Sequence, residues 1–377
     1  MTTTVALRAN TLDYPEGGGH FWVYLNWALG LRSLGCQLIW VEFAYADDRP
    51  GETESRLRSL RDRLSPYGLA PSMAVRRAGG DEGRDEWLVP PTWDPVDLLL
   101  DIGYTTPVEL ERLRQGLNLR RTALVDIDPG LLQVWMSRGE LVVAPHDINF
   151  SIGETVGTPA AAFPDCGLEW HYTPPPVILD QWPLARAGPD AAYTTVCHWW
   201  DEWLVVEEVA FDNSKRESFR DYLDLPTHTT ARLELALDLA QDEEDERRML
   251  EQRGWSVREG RRVASTPSDY RAYIQASRGE FSCAKPSCMR LRNAWISDRT
   301  LCYLASGKPA IVQHTGPSGI LPDASGLFRF HSPHEAVRAL ATVEADYDHH
   351  ARLARQLVEE HFDARKVVAG LLERALA

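Results

Sequence analysis

The first 45 residues contain a β-loop-α-β unit, which constrains the fold more than any other part of the sequence. A short apolar segment, Val5–Leu7, precedes an amphipathic stretch from about His20 to Leu34. Gly35 follows it, at the position where many helices end in a left-handed glycine. The next segment, Gln37–Phe43, is mostly apolar, as is typical of a strand buried on both faces of a parallel sheet. The unit therefore predicts a parallel α/β fold.

Further strands and helices alternate along the chain, which indicates a doubly wound arrangement. In the first half we expect strands at Leu98–Asp101 and Thr122–Val125 and helices at Glu52–Leu64 and Pro107–Gln115. In the second half the expected strands are Tyr193–Cys197, Leu233–Leu239, Glu280–Cys283 and Ala310–Gln313. The expected helices there are Glu243–Arg253, Asp269–Ala276, one that begins at Ser297, a periodic segment from His334, and Arg365–Ala377.

A proline-rich stretch over residues 144–190 interrupts this alternation. Prolines exclude long helices there, at Pro159, Pro164, Pro174, Pro175, Pro176, Pro183 and Pro189. We therefore expect an N-terminal Rossmann-like domain over 1–185 that ends in a connector at 144–190. A second domain over 186–360 and a terminal helix over 361–377 complete this division, and 377 residues fit two domains of roughly 150.

The net charge of −15 narrows the functional classes. Its average field repels phosphate backbones and anionic lipids, which argues against a nucleic-acid or membrane partner. No apolar run approaches the ~20 residues that span a bilayer, and the beginning of the chain does not resemble a secretion signal. The six cysteines lie far apart, without the spacing of a zinc site. We expect a cytoplasmic protein with free thiols.

A glycine loop, Gly17-Gly18-Gly19, precedes His20 at the expected start of the first helix. Glycines let backbone N–H groups approach a ligand closely, although a turn without a ligand is the alternative, and neither dinucleotide nor P-loop motifs are present. Histidine at this place could act as a general base. Asp101 and Asp126 each end an apolar strand, so either could orient it. A structural histidine is the alternative.

Asp126-Ile127-Asp128 offers a second interpretation of the same region. Two aspartates at this spacing can hold a divalent metal on a diphosphate. The following Pro129-Gly130 favours the simpler interpretation, in which the aspartates stabilise a turn. We expect no metal site.

The second half carries a cluster of cationic and hydroxyl side chains. Ser297 is a plausible N-cap, so the start of its helix would present free N–H groups beside Lys285, Arg292 and Arg299. Such a group can bind phosphate or diphosphate, and a solvated basic face is the alternative. Trp199, Trp200 and Trp203 could stack on a sugar or pack in the core.

Together these segments resemble the GT-B nucleotide-sugar glycosyltransferases, and a bacterial subgroup with unassigned acceptors in particular. Three segments carry most of the resemblance: Gly19-His20 with the helix through Leu29–Gly35, the stretch Tyr303–Val312, and the end from Phe362 to Lys366. Shorter matches are Asp126–Gly130, Gly153-Glu154, Pro176-Val177 and Ser297–Thr300. The resemblance implies two Rossmann-like domains that face a central cleft, and a C-terminal helix that returns to the first domain.

It also implies an activity and a site. A sugar would move from a nucleoside diphosphate, most simply UDP or TDP, to a hydroxyl of a small-molecule or glycan acceptor, without a metal or other cofactor. His20 would be the base, with Asp101 or Asp126 as its partner. The donor diphosphate would lie against residues carried over by type and position, namely Lys285, Arg292, Ser297, Asp298, Arg299, Thr300, Thr315 and Gly316.

One departure from the family bears on the stereochemistry. Many retaining members have a glutamate in the helix that here reads Cys302–Gly307, where the nearest acid is Asp298. We therefore expect an inverting reaction. Three other hypotheses remain open: a nucleotide-sugar epimerase of the same fold, an inactive binding protein, and a metal-dependent transferase that uses Asp126 and Asp128.

Overall fold

Two mainly parallel β-sheets form the framework of the protein. The structure is a computed structural model that describes residues 2–45, 51–78, 87–206, 208–239 and 243–377. The first sheet has the order β4-β3-β2-β1-β5-β6-β7-β8, with β1 (Thr4–Arg8), β2 (Gln37–Ala44), β3 (Met73–Arg77), β4 (Trp87–Val89), β5 (Val96–Asp101), β6 (Leu119–Asp126), β7 (Ile148–Ser151) and β8 (Trp170–Tyr172). We call the part of the chain that carries this sheet the first half.

The second sheet repeats the same winding. Its order is β13-β12-β9-β14-β15-β17-β16, and β10 and β11 form a separate antiparallel hairpin. The strands are β9 (Tyr193–His198), β10 (Trp203–Val206), β11 (Val209–Asp212), β12 (Leu233–Asp238), β13 (Ser256–Glu259), β14 (Gly279–Ser282), β15 (Ala310–Gln313), β16 (Ala324–Ser325) and β17 (Leu327–Phe330). We call this part of the chain the second half.

The α-helices connect these strands and complete the chain. They are α1 (Gly18–Ser33), α2 (Glu52–Leu64), α3 (Pro107–Gly116), α4 (Leu131–Ser137), α5 (Lys215–Phe219), α6 (Glu244–Gln252), α7 (Gly260–Ala264), α8 (Pro267–Ala276), α9 (Pro286–Leu291), α10 (Asp298–Ala305), α11 (Pro333–Ala345), α12 (Tyr347–His361) and α13 (Ala364–Ala375). Within the described ranges, no helix combines the length and the apolar character that a membrane span requires.

The strand order reverses once in each sheet. In the first sheet β1 pairs in parallel with both β2 and β5. In the second sheet β9 pairs in parallel with both β12 and β14. In open α/β sheets, ligands bind outside the carboxyl ends of the strands at this reversal. The fold therefore predicts two adjacent places for chemistry, after β1 and β5 and after β9 and β14.

Most expected elements are confirmed, and the proline-rich stretch needs a correction. The helix Glu52–Leu64 and the strand Ala310–Gln313 have the expected bounds. The stretch 144–190, expected to be a connector only, contributes β7 and β8 to the first sheet. These strands are four and three residues long, too short to show a period in the sequence. Along the chain, the expected domain boundary near residue 185 falls after the last strand of the first sheet and before the first strand of the second.

Helix α13 returns to the first half and packs against α1. The backbone makes the turn through a bridge in which Val177 N donates to Phe362 O at 2.8 Å and Ala364 N donates to Val177 O at 3.0 Å. Gly30 permits the close approach, because a Cβ there would lie 2.8 Å from Val368 Cγ2. The C-terminal helix therefore stabilises the first half.

We expect Leu371→Ala to lower the free energy of unfolding by about 2–5 kcal/mol, because this α13 side chain is buried and the change leaves a cavity. Urea unfolding measures this loss. Glu373→Ala, on the exposed side of the same helix, is the matched control and should change stability by less than about 0.5 kcal/mol. Equal stability of the two variants would contradict the packing of α13 on the first half.

Candidate active site

Two adjoining cavities lie between the carboxyl edges of the sheets. The first, of about 300 Å³, has walls from the glycine loop and His20 on one side and from Asp238, Arg261 and the start of α10 on the other. The second, of about 270 Å³, lies between residues 127–131 and the loop that carries Lys285. Both cavities share the wall Val196, Cys197, His198 and Arg299. The two strand-order reversals therefore open into one region.

The glycine loop lines the first cavity, but close packing explains its glycines. A Cβ on Gly18 would lie 2.3 Å from the carbonyl oxygen of Thr266, and one on Gly19 would lie 2.7 Å from the ring of Tyr270. A Cβ on Gly17 would lie 2.1 Å from the ring of Tyr14. Larger residues at Gly18 and Gly19 would push the two halves apart. Close packing is therefore sufficient reason for glycine at these positions.

His20 lies at the start of α1 and faces the first cavity. Its Nε2 lies 2.6 Å from the carbonyl oxygen of Asn10. Because a carbonyl oxygen only accepts, this contact places a proton on Nε2 and leaves the lone pair of the neutral ring on Nδ1. The rings of Tyr14 and Tyr24 contact the imidazole edge-on, at 5.6 and 5.2 Å between centroids. The ring is therefore fixed, and one nitrogen is free to accept a proton.

The expectation that Asp101 orients His20 by direct contact is wrong, because its carboxylate has other partners. Its fully buried carboxylate accepts from Gly103 N at 3.0 Å and Thr105 N at 2.8 Å, and His146 Nε2 lies 3.2 Å from it. Although burial opposes ionisation, His146 holds the pKa of Asp101 below its usual value. Asp101 fixes the loop after β5, and a backbone carbonyl takes the place predicted for it beside His20.

Asp126 does not contact His20 either. It is fully buried and accepts from Ser151 Oγ at 2.7 Å, from Gln133 Nε2 at 2.9 Å and from Asp128 N at 2.9 Å. Burial raises the pKa of Asp126 to about 7. Its hydrogen bonds hold the turn after β6 together, so its role is structural.

Asp128 instead faces the second cavity. Tyr104 Oη donates to its Oδ2 at 3.0 Å. Burial raises the pKa of Asp128, while the Tyr104 hydrogen bond and the charges of Lys285 and His20 oppose that rise. Of the two aspartates in the turn, only Asp128 is placed to act on a ligand. Within the part of the chain that the structure describes, no group of three or more His, Cys, Asp and Glu side chains could hold a metal ion.

Two lysines form the cationic wall of the second cavity. Lys285 follows β14 and pairs with Asp201 while remaining partly exposed. Lys215 is buried and donates to the carbonyl of Cys283. Burial, and next the charge of Arg299, lower the pKa of Lys215 to about 8. Lys285, predicted from the sequence as a donor-site residue, therefore lines this cavity together with Lys215, which no sequence motif indicated.

Helix α10 begins beside these lysines. Ser297 is its N-cap, as expected, and its hydroxyl accepts from Arg299 N at 3.3 Å. Ser297 and Asp298 both line the first cavity. Burial, with a contribution from the charge of Asp128, raises the pKa of Asp298 to about 7. The helix therefore presents its positive end to the cleft, where an anion is stabilised.

Arg299 lines both cavities, and its side chain also forms a buried ion pair in the second half. Its Nε donates to Glu280 Oε1 at 2.7 Å, its second and third nitrogens donate to Val196 O at 3.1 Å and Ser282 Oγ at 2.8 Å. Glu280 is completely buried. Although burial opposes its charge, the Glu280 carboxylate holds the pKa of Arg299 above its usual value. Each of the three guanidinium nitrogens thus makes one hydrogen bond, and together these bonds join α10 to β9 and β14.

The remaining predicted donor residues line neither of these two cavities, although Thr300 and Thr315 line a small third one beside Lys215, Ser297 and Arg299. Arg292 is exposed, with a left-handed φ of 48°, and lines neither cavity. Thr300 is buried. Thr315 Oγ1 donates to Trp295 O at 2.6 Å. Gly316 has a φ of 139°, and a Cβ there would lie 2.6 Å from Arg292 O. Thr315 and Gly316 therefore hold the loop before α10, and neither lines the first or the second cavity.

A hydrogen bond crosses the cleft between the two halves. Tyr14 Oη lies 2.9 Å from His198 Nε2, at the end of β9. On the second half, Asp238 lies 3.7 Å from His198 Nδ1 and accepts from Arg261 at 3.0 Å. Sequence motifs did not indicate Tyr14 and His198, because only the fold brings their loops together. The available signal was that His198 directly follows an expected strand and that Tyr14 lies in the loop after the first strand.

The three tryptophans after β9 divide between the core and the surface. Trp199 is fully buried and donates to Glu246 Oε1 at 3.0 Å. Trp200 and Trp203 are 43% and 68% exposed. Core packing is therefore confirmed for Trp199, and the outer two remain available for stacking.

Comparison with known proteins identifies the fold. The chain is similar to an alpha-glucosyltransferase solved with UDP (10% identity, TM-score 0.59, 100% of both chains). It is also similar to HepE from Anabaena, solved with UDP and glucose, with 11% sequence identity, a TM-score of 0.56 and 99% of both chains covered. A third similar structure is sucrose-phosphate synthase from Thermosynechococcus elongatus, with 10% sequence identity, a TM-score of 0.55 and 99% of both chains covered. The chain has the GT-B fold.

This result confirms the expected fold class, which rests on the similarity of the whole chain. No protein-family model matches the sequence. No curated protein matches it either. At about 10% identity the similarity establishes the fold alone, and the chemistry must be argued from the cleft.

We expect Arg299→Ala to destabilise the protein by about 3–5 kcal/mol, because it leaves the buried Glu280 carboxylate without its cation. Urea unfolding measures the loss. The matched control is Arg292→Ala, which removes an exposed arginine seven residues earlier and should cost less than about 0.5 kcal/mol. A stable Arg299→Ala variant that has lost nucleotide binding would restore the diphosphate role.

The raised pKa of Asp126 predicts a pH dependence of stability. The carboxyl ionises near 3.8 in the unfolded chain but only near 7 in the folded protein, so the folded state holds an extra proton between these values. Stability from this group is therefore lost as pH rises from 5 to 7, by of order 1 kcal/mol per pH unit. The free energy of unfolding, measured with urea, should therefore fall with rising pH more steeply in the wild type than in Asp126→Asn. Parallel curves would contradict it.

Proposed function

We propose that the protein is a glycosyltransferase that moves a sugar from a nucleoside-diphosphate donor to a hydroxyl of a small-molecule or glycan acceptor. The observation that carries this proposal is the composition of the cleft. One wall supplies a histidine with a free nitrogen, and the opposite wall supplies two lysines and a helix start. UDP is the first donor nucleotide to test, because structures of the same fold hold UDP.

The second half provides the groups that a departing diphosphate requires. Lys285 and Lys215 line one cavity, and the start of α10 lines the adjoining one. Positive charge at this place stabilises the diphosphate as negative charge develops on it. We assign the diphosphate to Lys285, Lys215 and the N-terminus of α10. Arg299 acts indirectly, because it holds that helix against β14.

The first half provides the base. His20 Nε2 is committed to Asn10, so Nδ1 accepts the proton of the acceptor hydroxyl. The oxygen then attacks the anomeric carbon, and the bond to the diphosphate breaks. Attack opposite the leaving group inverts the anomeric centre. No step requires a metal, since the lysines carry the charge.

The alternatives differ in their products. An epimerase would release an altered sugar and nucleotide from the donor alone. An inactive binding protein would bind nucleotide without turnover. A transferase that uses Asp126 and Asp128 with a metal would lose activity in EDTA, but Asp126 is buried beneath three donors. This burial makes the metal hypothesis the weakest of the set.

We expect UDP to raise the unfolding temperature in the presence of EDTA. At about 100 times its dissociation constant a ligand adds about 2.7 kcal/mol, which thermal unfolding detects easily. Lys285→Ala should reduce this shift strongly, whereas Arg292→Ala, a nearby cation outside both cavities, should retain it. TDP, GDP, ADP and CDP tested in parallel identify the base preference. Equal loss in both variants, or no shift with any nucleotide, would contradict the assigned donor site.

We expect His20→Ala to lose at least about 100-fold in turnover of UDP-glucose while it keeps the thermal shift with UDP, because general bases typically contribute 10²–10⁴-fold. Release of UDP measures turnover, and the coupling constant of the anomeric proton in the product reports the stereochemistry. A product with the configuration of the donor would contradict the inverting step. Undiminished turnover would remove His20 from the mechanism.

A further inference from the structure

A cavity of about 590 Å³ lies between the two halves, apart from the cavities assigned to the donor. On the first half its wall comes from α2 and the short turn that follows, which ends at Tyr67. On the second half its wall is the start of α8, with Thr266, Pro267 and Ser268. None of its lining residues lines the first or the second cavity. We call it the interface cavity.

Arg63, in the wall of the interface cavity, is a buried cation that lacks an anionic partner. It is only 8% exposed. Its Nε donates to Ser59 O at 3.4 Å and its Nη2 to Thr11 O at 3.0 Å, but its Nη1 has no hydrogen-bond partner among the described residues. Burial lowers the pKa of Arg63 to about 10, although the charge of Glu42 opposes this, so the guanidinium is charged at neutral pH. Because a buried charge is normally paired, Arg63 indicates an anion at this place.

A second arginine and a helix start add positive charge to the same cavity. Arg58 lies on the exposed side of α2, lines the cavity and forms no ion pair with the residues that the structure describes. Helix α8 is ten residues long and begins at the opposite wall. Its N-cap, Thr266, accepts from Asp269 N at 3.1 Å, which leaves Ser268 N without a partner inside the helix. The positive end of α8 and both arginines therefore favour an anion in the same space.

The carboxylates around the interface cavity do not cancel this charge. Asp62 is the one acidic residue among its lining residues, and it is exposed. Asp13, near the beginning of α2, is paired with Arg56 at 2.8 Å. Asp269 accepts from the Thr266 hydroxyl at 2.6 Å. Two arginines thus line the cavity together with one exposed carboxylate, so the cavity carries an excess of positive charge.

The rest of the wall is apolar, which indicates a ligand larger than inorganic phosphate. The ring of Tyr67 contacts Trp22 edge-on, at 5.6 Å between centroids, and this contact holds it in place. Pro15, Pro66 and Pro267 line the cavity beside it. The volume lies within the range of ordinary small-molecule sites, which combine apolar walls with a few polar groups. A molecule with an anionic end and an organic part therefore fits both walls.

We propose that the interface cavity binds a small organic phosphate. The phosphoryl group lies between Arg58, Arg63 and the start of α8, and the organic part lies against Tyr67. Arginine binds phosphate through paired N–H groups, and a helix N-terminus stabilises the same charge. Because such a ligand contacts both halves, its binding stabilises their arrangement. This site goes beyond the proposed function and does not depend on it.

The test measures the unfolding temperature against the concentration of phenyl phosphate, in EDTA and at constant ionic strength. Phenyl phosphate should raise it in the wild type and equally in Lys285→Ala, whose change lies in the second cavity. Arg58→Ala should weaken the affinity by about tenfold or more, because it removes a charged hydrogen-bond donor. Arg61→Ala is the matched control, because it removes an exposed arginine of the same helix that does not line the interface cavity.

Two further arms test the ligand class. Ser268→Asp places a carboxylate at the start of α8, which helices tolerate, and should abolish the response by repelling the phosphoryl group. Inorganic phosphate should bind more weakly than phenyl phosphate, because it makes no contact with Tyr67. Equal affinity for the two compounds would overturn the assignment of an organic ligand.

No shift with either compound, or equal affinity in Arg58→Ala and Arg61→Ala, would overturn the site. A shift that is lost in Lys285→Ala and kept in Arg58→Ala would place the phosphate in the second cavity and would also overturn it. Because this measurement contains no UDP, its failure leaves the proposed function standing. A missing shift with UDP would in turn contradict the proposed function alone.

Discussion

The cleft depends on one close contact, between the start of α1 and the segment that leads into α8. Gly18 lies directly against the carbonyl oxygens of Ala264 and Thr266, and Trp22 Nε1 donates to Pro267 O at 2.8 Å. Because backbone atoms of the two halves are in direct contact there, with no side chain between them, this contact fixes the distance between the halves. That distance sets the width of both cavities, and it places His20 opposite the start of α10.

Two arginines and two lysines of this chain differ in their partners. Arginine is abundant in this chain, yet Arg299 is committed to Glu280, and the buried Arg8 lies 3.8 Å from Glu42. Buried pairs of this kind are costly to break and rigidify the strands that they join. The lysines near the cleft have looser partners, a surface aspartate and a carbonyl oxygen. In the proposed function, a diphosphate therefore binds these lysines and leaves the Arg299–Glu280 pair intact.

Local pattern predicted the framework, and long-range pairing determined the site. The bounds of Ala310–Gln313 follow from a continuous apolar run, and Ser297 was predictable as a cap from its position alone. The role of Arg299, in α10, depends on Glu280 in β14, so the sequence around Arg299 could not reveal it. The sequence around Tyr104 could not reveal its hydrogen bond either, because the hydroxyl contacts a turn more than twenty residues later. Short strands such as β7 give no period, which is why the proline-rich stretch concealed part of the first sheet.

The central claim is that donor and base face each other across the cleft, and a crystal structure with bound UDP-glucose tests it most directly. The account predicts the diphosphate within hydrogen-bond distance of Lys285 Nζ and the start of α10, with the anomeric carbon turned toward His20. It also predicts that the Arg299–Glu280 pair stays intact. A diphosphate bound to the Arg299 guanidinium, or a sugar turned away from the first half, would contradict the account.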